Sequence, residues 1–181
     1  MANNYPAISF WHPAKLLGTW FGTGLSPKAS GTMGSIAALP FAYVIQIYGG
    51  NRALLIASLI AFVVGWLASN TYLHYTDAKD PKEIVIDEVA GQWLLLSFMF
   101  PTLHSYIVGL ALFRLFDILK PWPISVADRK ITNGFGVMFD DILAAVYPVM
   151  LLLIAMTIGD AAGHPLNLVP MWQFLAESHV Y

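Results

Sequence analysis

Cysteine is absent from this 181-residue chain, which excludes disulfides, thiolate metal sites and a cysteine nucleophile. Charge is scarce as well. Nine Lys and Arg with eleven Asp and Glu make up 11% of the residues, against roughly 25% in an average globular protein. With a net charge of −2 and no basic tract, the chain has no footprint for a nucleic-acid partner. The N-terminus, MANNYPAISFWHPAKLLGTWFG, has no basic segment ahead of its apolar residues, and its first Lys is Lys15. It is therefore expected to be kept, not cleaved as a signal peptide.

Apolar residues take the place of charge, at 57% of the chain and a mean hydropathy of +0.64. Six Trp, eight Tyr and eleven Phe supply interfacial anchors. Uncharged windows of 23, 24, 25 and 18 residues separate Lys28 from Arg52, Arg52 from Asp77, Glu88 from Arg114, and Asp141 from Asp160. Each accommodates at least one helix near the roughly 20 residues that span hydrocarbon. Spans are expected at about 33–49, 53–73, 89–103, 104–120 and 142–159, with Pro101, Thr102 and His104 turning the chain between the third and fourth. The expected fold is all-α: a polytopic membrane bundle of about five hydrophobic helices, in one domain over residues 1–181, with a charged surface on one side. A soluble helical bundle with a very apolar core is the alternative. Ala37, Ala38, Ala144 and Ala145 permit close helix packing within or between chains, and the oligomeric state stays open.

These spans put residues 1–32, 74–88 and 121–141 on one side, with the charged end of the fourth span. Eight of the nine basic residues lie there, leaving only Arg52 opposite. The positive-inside rule assigns that side to the cytoplasm. Nine of the eleven acids follow, and only Asp160 and Glu177 fall outside.

Three polar islands occupy this side. In GTGLSPKASGTMGS (22–35), glycines allow close backbone approach, and hydroxyls and amides opening the next helix suit a phosphate. Thr23, Ser26, Gly31, Thr32, Gly34 and Ser35 are the candidates. The bland reading is a flexible loop in which Thr32 or Ser35 caps the helix. No Gly-Lys-Ser/Thr follows, so this is not a P-loop. The second island ends in Asp87-Glu88 among apolar neighbours. Helix-dipole stabilisation of acids at a helix N-terminus is the bland reading, but carboxylates so near hydrocarbon are costly unless paired or bound to a cation.

The third island carries Arg114, Asp117 and Lys120 at three-residue spacing on one helical face, stopped by Pro121 and Pro123. Asp128, Arg129 and Lys130 follow, then a Gly-rich turn over 133–136, and Asp140-Asp141 at the mouth of the last span. An ion-pair ladder is the structural explanation. An anionic head group with its metal is the functional one. Together the islands offer Asp87, Glu88, Asp117, Asp140 and Asp141 as metal ligands and catalytic carboxylates, with Arg114, Lys120 and Arg129 to neutralise phosphate oxygens. All-oxygen donors with no Cys and no His-x-x-x-His pair favour Mg²⁺ over zinc. His12 and His74 fall in no metal or base motif.

Four segments carry a family resemblance: GTGLSPKASGTMGS (22–35), VIDEVAGQW (85–93), FRLFDILKPWPI (113–124) and DRKITNGFGVMFDDILAA (128–145). In this order and spacing the chain resembles the phosphatidylglycerophosphatase A family, bacterial membrane enzymes that convert phosphatidylglycerophosphate to phosphatidylglycerol. The resemblance is strongest over 20–145. It implies a Mg²⁺-dependent hydrolase of the inner membrane, with a phospholipid substrate and a site facing the cytoplasm. Three positions depart from the family pattern: Ser30 where Pro is usual, Asn133 in a usual Gly-Gly, and Ala145 in place of Gly. All three bear on backbone shape and leave the charged groups intact.

The expected chemistry is metal-assisted hydrolysis of a phosphate monoester, for which no protein nucleophile is required. A covalent aspartyl-phosphate at Asp87 or Asp117 is the variant, without an Asp-x-Asp-x-Thr motif to support it. Competing readings are a small ion or proton transporter using its acids as a pathway, a CDP-alcohol-type lipid phosphotransferase, and a non-catalytic assembly protein. The acids are absent from the span centres, which speaks against transport. The Asp-Gly-x-x-Ala-Arg signature of the phosphotransferases is missing. Topology reporters fused after residues 80 and 130 are expected on the same side of the membrane; opposite sides would remove the shared polar surface.

Overall fold

The structure, a computed structural model, describes residues 8–76, 78 and 81–162, apart from the Asp160 side chain. Asp77, Lys79, Asp80, Asp160 and Glu177 of the charge tally therefore lie outside it. Six α-helices and no strand occur among the described residues: α1 (Pro13–Gly18), α2 (Ser30–Leu73), α3 (Ile86–Leu96), α4 (Leu103–Leu119), α5 (Ile124–Lys130) and α6 (Gly134–Ala161). A 3₁₀ turn covers Thr23–Leu25. The all-α expectation is what is found.

Helix α2 runs for 44 residues but is broken at Gly50, whose φ of 73° and ψ of −179° are not helical. Its two arms, 30–49 and 51–73, fold back on each other. The first arm rises beside α3, with Gly34 against Val85 and the Trp93 indole N–H donating to the Ala38 carbonyl at 2.9 Å. The second returns along the same helix, since the Ser58 hydroxyl donates to the Ala90 carbonyl and Gly65 lies against Ile86. At 1.5 Å per residue the arms are about 30 and 34 Å long. They match the first two expected spans.

Helices α2 and α6 are long and apolar enough to cross a bilayer. Helices α3 and α4 form a shorter hairpin. Helix α3 stops at Leu96, earlier than the expected span end at 103, because Gln46 of α2 satisfies its terminal backbone. The Gln46 amide donates to the carbonyls of Leu96 (3.2 Å) and Met99 (2.7 Å), and accepts from the Tyr106 hydroxyl. Thr102 then caps α4 by accepting the Ser105 N–H. Helix α6 starts at Gly134, inside the segment read from sequence as a Gly-rich turn. There the Asn133 side chain accepts the Gly136 N–H and Asn70 accepts the Gly134 N–H. Asp140 and Asp141 consequently sit more than a turn inside α6, not at its mouth.

The distribution of side-chain size separates the two fold readings. Along α2 the inward positions are small, including Gly34, Ala38, Ala42, Ser58, Ala61 and Gly65, all buried. Large apolar side chains face outward, among them Ile56, Leu59, Ile60 and Leu67 at 56–60% exposure. In water this arrangement leaves the hydrophobic surface uncovered. In lipid it is the expected one, since small residues let helices approach and large ones meet acyl chains. Ala38, Ala144 and Ala145, singled out for close packing, are fully buried.

Both ends of α2, the starts of α3 and α6, the end of α4, and α5 gather at one pole. The second island is stitched there to α1 and to the first island: the Val85 N–H donates to the Gly18 carbonyl at 2.8 Å, and a Cβ on Gly24 would stand 2.0 Å from the Glu83 carbonyl oxygen. Gly50 occupies a backbone region essentially restricted to glycine, with open space around it. Gly50→Ala is thus expected to destabilise the hairpin by about 1–3 kcal/mol through backbone strain alone. An unchanged thermal melt in detergent would contradict that reading.

Candidate active site

Three carboxylates converge at the pole. Asp87, Glu88 and Asp141 each place an oxygen within 4.8 Å of the others. Asp87 and Glu88 occupy the first turn of α3, where its unpaired N–H groups favour negative charge; the Glu88 N–H donates to Asp87 Oδ1 at 2.9 Å. Asp141 comes from α6, which meets α3 where Gly91 lies against the Asp141 carbonyl. Asp87 and Asp141 are 8% and 4% exposed. Glu88 Oε2 and Asp141 Oδ2 are buried without a hydrogen-bond partner.

The other two predicted carboxylates stand beside this cluster and face cations. Arg114 Nη1 lies 2.5 Å from Asp117 and 3.6 Å from Glu88. Lys120 Nζ lies 2.5 Å from Asp140 and 2.7 Å from Asp128. Lys120 follows the end of α4 in a left-handed conformation, φ 41° and ψ 58°, which is uncommon without glycine. That turn carries its ammonium back over the pole. Burial works against its charge, but Asp140 and Asp128 outweigh burial and hold the ammonium above its ordinary pKa range.

All five acids, Arg114 and Lys120 line one cleft of about 440 Å³, with Gly31, Ser30 and Lys82 on its wall. Gly31 is there as a spacer: a Cβ would stand 2.0 Å from Glu88 Oε1 and 2.9 Å from Arg114 Nη1. With no side chain at that position, the first turn of α2 lies against the ion pair without displacing either group. The cleft combines clustered hard oxygen donors, cations and close backbone, an arrangement suited to a divalent cation and a phosphate group.

The remaining predicted residues lie elsewhere. Thr23 donates its hydroxyl to the carbonyls of Thr19 and Trp20 and shapes the 3₁₀ turn. Ser26 donates to the Lys28 carbonyl and lines an adjoining cavity that shares Ser30 and Lys82 with the cleft. Gly34 lies against Val85. Ser35 is buried and donates back to the Gly31 carbonyl. Thr32 is half-buried in the first turn of α2. Neither Thr32 nor Ser35 caps that helix; the cap is Ala29, left-handed at φ 49°, without a side-chain bond. Arg129 donates to the Ser125 carbonyl and lines a separate cavity of about 250 Å³, which meets the cleft only at Asp140.

Sequence reading missed Lys82. It stands five residues before Asp87 in the second island, whose chemistry was read from its acids alone.

The family model described as "Phosphatidylglycerophosphatase A" matches residues 16–156. A Haemophilus influenzae protein named phosphatidylglycerophosphatase A is 38% identical over 154 residues, covering 83% of this chain and 94% of that protein. One of the same name from Escherichia coli K12 is 37% identical over 142 residues, covering 75% and 77%. A Bacteroides thetaiotaomicron protein, provisionally named a phosphatidylinositol-3-phosphatase, is 36% identical over 156 residues, covering 77% and 91%. No solved structure matches the chain.

Gly31→Ala is expected to push Glu88 and Arg114 apart by about an ångström and to lower turnover about 100-fold, with membrane insertion retained. Turnover within threefold of the unmodified protein would show that the close approach is dispensable.

Proposed function

The chain belongs to the phosphatidylglycerophosphatase A family and is a phosphatase, and from that we propose that it removes the terminal phosphate monoester of phosphatidylglycerophosphate, giving phosphatidylglycerol and inorganic phosphate in a Mg²⁺-dependent reaction. The observation that carries the reading is the convergence of Asp87, Glu88 and Asp141 beside Arg114 and Lys120 in one cleft. The unpartnered oxygens of Glu88 and Asp141 fit a hard divalent cation, because buried carboxylate oxygens without donors are costly unless an ion takes them.

Asp87, Glu88 and Asp141 would hold Mg²⁺, with Asp117 and Asp140 beside them. Bound Mg²⁺ supplies electrostatic clamping of phosphate oxygens and lowers the pKa of water. The chain's own groups do the rest. Arg114 and Lys120, each oriented by a carboxylate, stabilise charge on the transferring phosphoryl group. Lys82 adds a third cation at the rim. The Gly31 backbone forms part of one wall of the cleft. Phosphoryl transfer depends mainly on such positioning and electrostatics.

On this reading the protein is a multi-pass protein of the bacterial inner membrane, with its charged pole at the cytoplasmic face. The one-sided basic residues support that orientation. The acids gather at the pole and leave the span centres apolar, which does not suit an ion pathway. A second substrate reading, a phosphorylated inositol lipid, rests on the name of the Bacteroides relative.

Purified protein in detergent is expected to release phosphate from phosphatidylglycerophosphate faster than from phosphatidylinositol 3-phosphate, and to stop when EDTA is added. Activity that survives EDTA rejects the metal reading, and a reversed preference rejects the substrate. Asp87→Asn, Asp117→Asn and Asp141→Asn are each expected to abolish turnover without loss from the membrane. Normal rates in all three would refute the site.

A further inference from the structure

An apolar groove of about 540 Å³ runs between the first arm of α2 and α4. Ile36, Pro40 and Tyr43 line it from α2, and Leu103, Ile107 and Leu110 from α4. The charged cleft is lined by the same two helices one to two turns nearer the pole, at the cap Ala29 and Gly31 of α2 and at Arg114 and Ile118 of α4.

The registers agree. On α2, positions 33, 36, 40 and 43 follow one another at three- and four-residue steps, so they form one stripe, and the Met33 N–H donates to the carbonyl of the cap Ala29. On α4, positions 103, 107, 110, 114 and 118 do the same. Cleft and groove are therefore two stretches of one seam. Met33, 44% exposed, sits at the step between them.

The seam is open because α2 and α4 barely touch, while α3 is packed against both. Pro40 lies in its wall and has no N–H to donate to the Ile36 carbonyl, which weakens the helix ladder on that side. In the groove the rings of Tyr43 and Tyr106 meet edge-on, 6.0 Å apart, and the buried Tyr106 hydroxyl is fixed by Gln46 at 2.7 Å. Bulk lipid covers every outward face of the bundle, but only a concave face leading from the cations can take a chain joined to a head group held there.

We propose that this groove is an acyl-chain subsite, seating one fatty chain of the lipid whose phosphate occupies the cleft, with the Tyr43–Tyr106 pair in its wall. The subsite rests on the lipid-phosphatase reading above. It makes the enzyme sensitive to chain length through contacts along α2 and α4. Of the groove residues, Ile107 is 59% exposed, so a larger side chain there fills the groove without entering the core.

The test compares KM for dipalmitoyl and dibutyryl phosphatidylglycerophosphate in mixed micelles. Ile107→Trp is expected to raise the ratio of the long-chain to the short-chain KM on the order of tenfold, the effect of losing about two methylenes' worth of burial. Leu59→Trp, on a lipid-facing position of the other arm of α2, is the control and is expected to keep the original ratio. An unchanged ratio in Ile107→Trp, or an equal change in Leu59→Trp, overturns the subsite. A photoreactive diazirine in one acyl chain of the substrate is expected to label α2 and α4 residues of the groove in the unmodified protein. Labelling spread evenly over the lipid-facing surface also overturns it. If the unmodified protein releases phosphate from neither substrate, the phosphatase reading itself fails and the subsite falls with it.

Discussion

Everything at the charged pole depends on keeping carboxylates close together at the edge of an apolar bundle. Three of them place oxygens within 4.8 Å of one another, and two more stand beside them. Like charges at such distances repel, and withdrawal from water raises the cost further. The chain answers with Arg114 and Lys120, each placed against an acid, and with the positive end of α3 beneath Asp87 and Glu88. Two acceptor oxygens still lack a partner. That remaining imbalance is the physical reason to expect a cation.

The bundle serves this requirement by bringing three distant islands to one pole. The break at Gly50 returns α2 to the pole, so its start and its end both border the site. The short α3–α4 hairpin places the acids of α3 opposite Arg114 with a single reversal at 97–102. Small residues let these elements approach, and large apolar ones are left on the outside. Gly31 repeats the same device at the site, where lack of a side chain lets α2 lie against Glu88 and Arg114.

Much of this was legible in the sequence because span length and the scarcity of charge are coarse constraints. Uncharged windows mark the spans by length alone, and the first two agree with the arms of α2. The five acids with Arg114 and Lys120 stood out because charge is so rare here. What was not legible depended on contacts between segments. Arg129 has the same charge as Arg114, yet its helix turns it into a neighbouring cavity. Ser35 looked like a phosphate ligand and instead satisfies its own helix. Lys82 was passed over because nothing local separates it from a solvated lysine. The end of α3 at Leu96 depends on Gln46, fifty residues away, whose amide takes up the Leu96 carbonyl.

The mechanism proposed above needs Asp87, Glu88 and Asp141 to form a divalent-cation site. Calorimetric titration of Mg²⁺ into the detergent-purified protein, without substrate, tests it most directly. Saturable binding is expected, and its loss in Asp87→Asn/Asp141→Asn while the helical content is kept. Binding that is absent from the unmodified protein, or undiminished in the double variant, would contradict it.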